Sequence, residues 1–220
     1  MWRSARRAML LSAAAGCVEV VGYLYLGGIY PGVMTGNTVQ LGMNAARADW
    51  AQALLIGEVL GWFLVGCLIG SALRRIVPRA GWVLLAVGSL VAAADVAMHR
   101  AAPHYAAPHY AGAMPLLAMA MALQGEALTC LGGVSIQTIV VTNTIVKFAN
   151  GLVELAWRRG GGRERPALGA ALLPGVAWLS YGAGAAAGAR LHDLNRHPLL
   201  IAAAVFACVA LDFLCSDMAD

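Results

Sequence analysis

Charge is what this chain has least of. Asp, Glu, Lys and Arg make up 12% of its 220 residues, about half the share of a soluble globular domain. Lys147 is the only lysine. With 60% hydrophobic residues and a mean hydropathy of +0.72, this scarcity excludes a water-soluble fold and points to an all-α integral membrane protein. The five cysteines (Cys17, Cys67, Cys130, Cys208, Cys215) form no Cys-x-x-Cys pair and lie in or beside apolar segments. They read as packing residues rather than a disulfide framework. No nucleophile–base pairing, zinc-helix motif or phosphate loop occurs, so neither an enzyme nor a bound cofactor or metal is expected. The net charge of +4 comes from arginines in short connections, a topology signal and not a nucleic-acid surface.

A span needs about 20 mostly apolar residues. Six stretches reach that length: about 8–26, 51–73, 81–99, 113–132, 167–189 and 198–215. The N-terminus imitates a secretory signal, and Ala14-Ala15-Gly16-Cys17 imitates a lipoprotein box. The apolar run continues past Cys17, however, so a first transmembrane helix is expected instead. Two shorter pieces, about 33–47 and 140–156, each follow a glycine pair and carry Thr, Asn, Gln or Lys. They read as half-helices or re-entrant arms. Residues 158–166 form a basic, flexible loop between spans four and five.

The stretch Glu19–Trp50 returns 107 positions later as Glu126–Trp157, with Glu19 on Glu126, Thr35 on Thr142 and Val39 on Val146. Phe63-x-x-Gly66-x-x-x-Gly70 returns as Tyr181-x-x-Gly184-x-x-x-Gly188, and Ala93-Ala94-Asp95 falls on Ala210-Leu211-Asp212. Three matches in one order predict a duplication within a single membrane domain, 1–220, with repeats of about 8–100 and 113–215. Each unit has an odd number of crossings, so the second copy is inverted. The first helix of each repeat is followed by a broken, half-helix extension. With six crossings and cytoplasmic termini, ten arginines lie inside and four outside, as the positive-inside rule requires. Crossing by both short pieces would make the split nine against five.

Non-helical backbone is tolerated at membrane depth only where protein or a wet cavity satisfies it. The breaks at Gly27-Gly28-Ile29-Tyr30-Pro31-Gly32 and Gly132-Gly133-Val134-Ser135 therefore mark a candidate site or an architectural kink. Thr35, Gly36 and Asn37 open one restarting helix, and Thr142 and Asn143 the other. Thr and Asn are good N-cap types, and helix N-termini attract anions and carbonyl oxygens. Glu19 and Glu126 stand upstream of the breaks, where a carboxylate is costly unless it serves a pathway or a structural hydrogen bond. Lys147 either neutralises Glu126, meets an anionic substrate or snorkels. Glu58, Asp95 and Asp212, nearer span ends, read as solvated or capping. Gly66/Gly70 and Gly184/Gly188 are small-x-x-x-small packing faces, within one subunit or across a homodimer seam. The five histidines, His99, His104, His109, His192 and His197, all fall on the outer side. A metal or pH-sensing cluster is one reading, and isolated loop histidines the commoner one.

Glu19, Tyr23-Leu24, Leu26-Gly27-Gly28 and Met34-Thr35-Gly36-Asn37 together resemble the first signature of the YoaK-like family, bacterial polytopic membrane proteins whose function is not established. The family's second signature, similar to Gly-x-Gln-Asn followed by Thr-Thr and Thr-Gly, stands here as Leu123-Gln124-Gly125, Thr138 and Thr142-Asn143. The Asn of Gln-Asn and the Gly of Thr-Gly are changed. The resemblance covers essentially the whole chain. It implies a bacterial inner-membrane location and no substrate. The expected function is a small secondary transporter or channel-like permease for a small solute or ion. Its site lies near the midplane, among Glu19, Thr35, Gly36, Asn37, Gln124, Glu126, Thr138, Thr142, Asn143 and Lys147. The alternative is a non-transporting assembly or sensor subunit. Water access to the broken helices discriminates between them.

Overall fold

The computed structural model describes residues 2–77, 79–100, 109–127, 141–156, 168–194 and 196–216. Among them the regular elements are all helices, in the order α1 (Trp2–Tyr25), α2 (Met34–Ala46), α3 (Trp50–Ile76), α4 (Ala80–Arg100), α5 (His109–Ala127), α6 (Val141–Ala156), α7 (Leu168–Asp193) and α8 (Pro198–Ser216). Five of these, α1, α3, α4, α7 and α8, are long and apolar enough to cross a membrane, against six expected. The remaining expected span, α5, runs 19 residues and carries Pro115. Helices α2 and α6, with 13 and 16 residues, are the two short pieces.

The termination of α1 follows from its glycines. Gly27 and Gly28 adopt φ of 62° and 93°, the left-handed region that a side chain disfavours. The Gly28 N–H donates back to the Tyr23 carbonyl at 2.9 Å, the six-to-one bond of a Schellman C-cap. The chain then doubles back along α1. Pro31 lies on Gly22 and Gly32 lies on Glu19, so the break re-enters by about two helical turns, or roughly 9 Å. Leu26 and Ile29 anchor it in a small apolar cluster with Ile56, Val59, Met114 and Ala118 from α3 and α5. The connection from α2 to α3 is tight: Ala48 takes φ 57°, and the Asp49 carboxylate accepts the Gln52 N–H at 3.2 Å, capping α3.

The main core joins α1, α4, α5, α7 and α8 around Phe206, Leu11, Leu84, Leu117, Met121 and Leu199, all fully buried. Small residues set the closest approaches. On α7, Gly184 meets the backbone of Ala13, and Gly188 meets Cys17 and Val20, so α1 and α7 run parallel. On α3, Gly66 meets Met119 and Ala122, and Gly70 meets Leu123 and Glu126, so α3 and α5 run parallel too. Helices α4 and α8 are antiparallel, with Gly81 against Ala210 and Leu214 and Gly88 against Ala203 and Phe206. Both glycine pairs are thus occupied inside one chain, and neither presents a free seam to a second copy. Helix α2 packs on α3, and α6 packs on α7. The apolar residues left outside, such as Leu54, Leu64 and Leu68 on α3 and Leu179 on α7, suit a lipid surround, where apolar exposure carries no cost.

Candidate functional site

Glu19 is the deepest acidic group of the broken-helix region. It lies in the third quarter of α1 and is 2% exposed. The returning loop presses Gly32 onto its Oε1 so closely that a Cβ at Gly32 would overlap the carboxylate. The other wall at this point is Met121 of α5. The N–H groups of Gly32 and Val33 are polar neighbours of Glu19, but neither carboxylate oxygen has a partner in hydrogen-bond geometry. The phenols of Tyr30 and Tyr181 lie within electrostatic reach of it and of each other. Tyr30 is stacked in turn on Tyr23, with centroids 4.5 Å apart. A buried carboxylate pressed by a returning backbone, with two phenols within electrostatic reach, is a place for a proton or a small cation.

The rest of the expected set divides. Asn37 is fully buried, but it does not cap α2. The N-cap position falls on Val33, without a side-chain bond. Asn37 instead clamps the loop: its Oδ1 accepts the Tyr30 N–H at 3.1 Å and its Nδ2 donates to the Tyr30 carbonyl at 2.7 Å. Gln40 adds a second tie, donating to the Gly28 carbonyl at 3.0 Å. Gly36 faces the Tyr30 ring. Thr35 is exposed and is not an N-cap, because the helix has already begun at Met34.

Gln124 is buried and donates to the Leu11 carbonyl of α1 at 3.3 Å. Glu126 is held by Arg74 of α3 at 3.3 Å, a partner the sequence reading did not name. Lys147 rides on α6, against α7. Thr142 and Asn143 are exposed, and the buried hydroxyl of this turn is Thr144. Thr138 and the second break, Gly132–Ser135, lie outside the described residues. The first break and Glu19 are therefore brought together, whereas Thr35, Thr142 and Asn143 are not turned into a buried centre.

Two acidic groups read from sequence as solvated or capping behave differently. Asp95 is 2% exposed and sits beneath two histidines. His197 Nδ1 is 2.7 Å and His99 Nδ1 3.4 Å from its Oδ2. Asp212 takes Arg7 at 2.7 Å and Arg6 at 2.9 Å. Arg7 also donates to the Asp212 carbonyl and to Ser216 Oγ, both at 2.8 Å, and covers the Phe213 ring at 3.9 Å. Sequence reasoning missed Tyr181, which was visible only as the counterpart of Phe63 in the repeated glycine motif. It also missed the Asp95–His197 pairing, which spans 102 positions.

Helices of this length, lipid-suited outer faces and a first helix that breaks and re-enters beside a buried acid define a multi-pass helical membrane protein. The chain belongs to the DUF1275 family, described as proteins of unknown function, which matches residues 7–211. It is similar to the UPF0700 transmembrane protein YoaK of Bacillus subtilis (strain 168), at 29% identity over 143 residues, covering 62% of this chain and 61% of the relative. The match thus spans less than two thirds of that relative's length. The resemblance read from the Met-Thr-Gly-Asn signature is borne out. No solved structure matches the chain.

Proposed function

We propose that this protein is a small permease, a secondary transporter or channel-like pathway for a small solute or ion, and that Glu19 and the α1–α2 break form its mid-membrane site. The observation that carries this reading is the Glu19 carboxylate: buried in a spanning helix, with both oxygens unpartnered, against a loop that leaves helical geometry beside it. A carboxylate in that position requires charge compensation, from a proton or a bound cation. A pathway that loads and unloads it makes use of the arrangement. The proposed role is non-enzymatic, since no catalytic constellation accompanies Glu19 among the described residues.

The same reading includes two inverted repeats, six crossings, an inner-membrane location and cytoplasmic termini. Helix pairing supports the duplication. Exchanging α1 with α5, α2 with α6, α3 with α7 and α4 with α8 converts α1–α7 into α3–α5, α6–α7 into α2–α3 and α4–α5 into α1–α8, all of them packed pairs. The equivalent helices α4 and α8 run antiparallel, as inversion demands. The partners are the bilayer and a small solute or ion. A homodimer would have to use a face other than the glycine pairs.

The test is uptake into proteoliposomes across a panel of small anions, metabolites and monovalent cations, wild type against Glu19→Gln. The expected result is time-dependent uptake of at least one solute, reduced at least tenfold in the variant while the variant keeps its melting temperature. A specific observation favours the second reading, an assembly or sensor subunit: Asn37 and Gln40 satisfy the break locally. Absence of uptake across the panel, together with no water access to cysteines placed at positions 33 and 35, would select it.

A further inference from the structure

A second polar centre stands apart from the broken helix, where α4 ends and α8 begins. Asp95 and His99 are four residues apart on α4, so one helix face carries both. His197 arrives from the connection between α7 and α8, immediately before Pro198, and the antiparallel packing of α4 on α8 sets it over the same face. The His99 and His197 rings lie 3.9 Å apart, centroid to centroid. One ligand atom from each of Asp95, His99 and His197 falls within 4.8 Å of the other two. The acid is buried whereas both imidazoles are accessible, and Asp95 Oδ1 is buried with no hydrogen-bond partner. Two histidines explain Oδ2; nothing among the described residues explains Oδ1.

We propose that Asp95, His99 and His197 bind a borderline divalent cation of the Zn2+ class, with an open position toward the small cavity also lined by His192 and Arg196. The donor set decides the metal class. Two imidazoles and one carboxylate suit Zn2+, Co2+ or Ni2+, whereas Ca2+ and Mg2+ seek oxygen ligands. The geometry is near what such an ion needs. Tetrahedral bonds of about 2.1 Å separate ligand atoms by about 3.4 Å. The His99 Nδ1–Asp95 Oδ2 separation is already 3.4 Å. His197 Nδ1, at 2.7 Å, has to withdraw by about 0.7 Å, and its half-exposed side chain on a short connection has room to do so. The contacts an ion displaces are the His197–Asp95 hydrogen bond and the 2.8 Å approach of His99 Nδ1 to the Asp95 carbonyl. Arg196 adds positive charge to the cavity, which the single carboxylate offsets, so binding rests on the ligand bonds rather than on bulk electrostatics. This inference is independent of the permease reading.

The test uses the full chain in detergent, titrated with Zn2+ by calorimetry and with Co2+ by visible absorption, and with Mg2+ as the oxygen-seeking control. Wild type is expected to bind one equivalent of Zn2+ saturably and to develop ligand-field bands with Co2+. His99→Ala and His197→Ala, both at accessible positions, should each weaken binding at least tenfold while eluting as folded monodisperse protein. Asp95→Asn should do the same, although its burial makes the histidine variants the decisive ones. His104→Ala/His109→Ala should leave binding unchanged. The proposal is overturned if wild type shows no saturable Zn2+ binding, if Mg2+ binds as well as Zn2+, or if affinity falls with the His104/His109 pair and not with His99 or His197.

Discussion

The closest glycine contact among the described residues makes a quantitative prediction at Gly184. A Cβ built there meets not a flexible side chain but the backbone of Ala13, with its carbonyl carbon and Cα both at 2.6 Å. Ordinary contact begins at 3.4 Å and the Ala13 carbonyl oxygen lies closer still, so Gly184→Ala forces α7 away from α1 by more than about 0.8 Å, and overpacking of a rigid wall costs about 1–3 kcal/mol. Gly182, on the same helix, has nothing within 4 Å and is exposed. Both substitutions gain the same helix propensity, about 1 kcal/mol for Gly to Ala, which cancels in the comparison. Gly184→Ala should therefore melt below Gly182→Ala by about 6 °C, taking about 2–4 °C per kcal/mol for a chain of this size. The measurement is a thermal melt in mild detergent read by fluorescence-detected size exclusion. Gly184→Leu should lower folded yield far more than Ala186→Leu, since Ala186 is exposed. Equal melting of the two alanine variants would show that α1 and α7 do not meet at this register.

Asn37→Ala removes both bonds that hold the Tyr30 backbone and should destabilise the fold by about 1–3 kcal/mol, whereas Thr35→Ala should melt within about 0.5 kcal/mol of wild type; the same melts decide it. Arg7→Met breaks a part-buried hub joining the start of α1 to the end of α8, and should lower the melting temperature clearly more than Arg6→Met, whose pairing is solvent-exposed and worth about 0–1 kcal/mol. Gly32→Ala places a methyl group on the Glu19 carboxylate and should reduce folded yield, whereas Gly42→Ala, with open space around it, should not.

The elements were legible from sequence because hydropathy and glycine placement are local properties. The expected limits 33–47 and 140–156 fall within a residue of α2 and α6, and the doubled glycines end α1 where a left-handed turn was needed. The close faces at Gly66 and Gly184 were legible too, since four-residue spacing puts both glycines of a pair on one side of a helix whatever the partner. What sequence left open was the identity of partners. Asn37 has the side chain of an N-cap, but an amide with a donor and an acceptor also fits both polar groups of one peptide unit. Which it does depends on where the chain goes after Gly28, and it returns to bring Tyr30 alongside. Glu126 meets Arg74 because α3 runs parallel to α5, a register set by Gly70 and not by any charge.

The two aspartates at the ends of α4 and α8 carry the argument furthest. They occupy matching places in the two sequence halves and drew one reading, solvated or capping, for both. Each in fact meets the end of an antiparallel helix. Asp212 meets the start of α1, where Arg6 and Arg7 enclose it with permanent positive charge. Asp95 meets the start of α8, where the groups paired with its carboxylate are the imidazoles of His99 and His197. An arginine pair closes a carboxylate, because guanidinium donates and cannot ligate. An imidazole pair leaves lone pairs as well as protons, and so leaves a carboxylate open to exchange. The ends of α4 and α8 thus carry a candidate metal-binding centre in one case and a fixed clasp in the other. His99 is local to Asp95, but the difference is completed by residues about a hundred or more positions away, His197 for one aspartate and Arg6 and Arg7 for the other, which no local pattern could reveal.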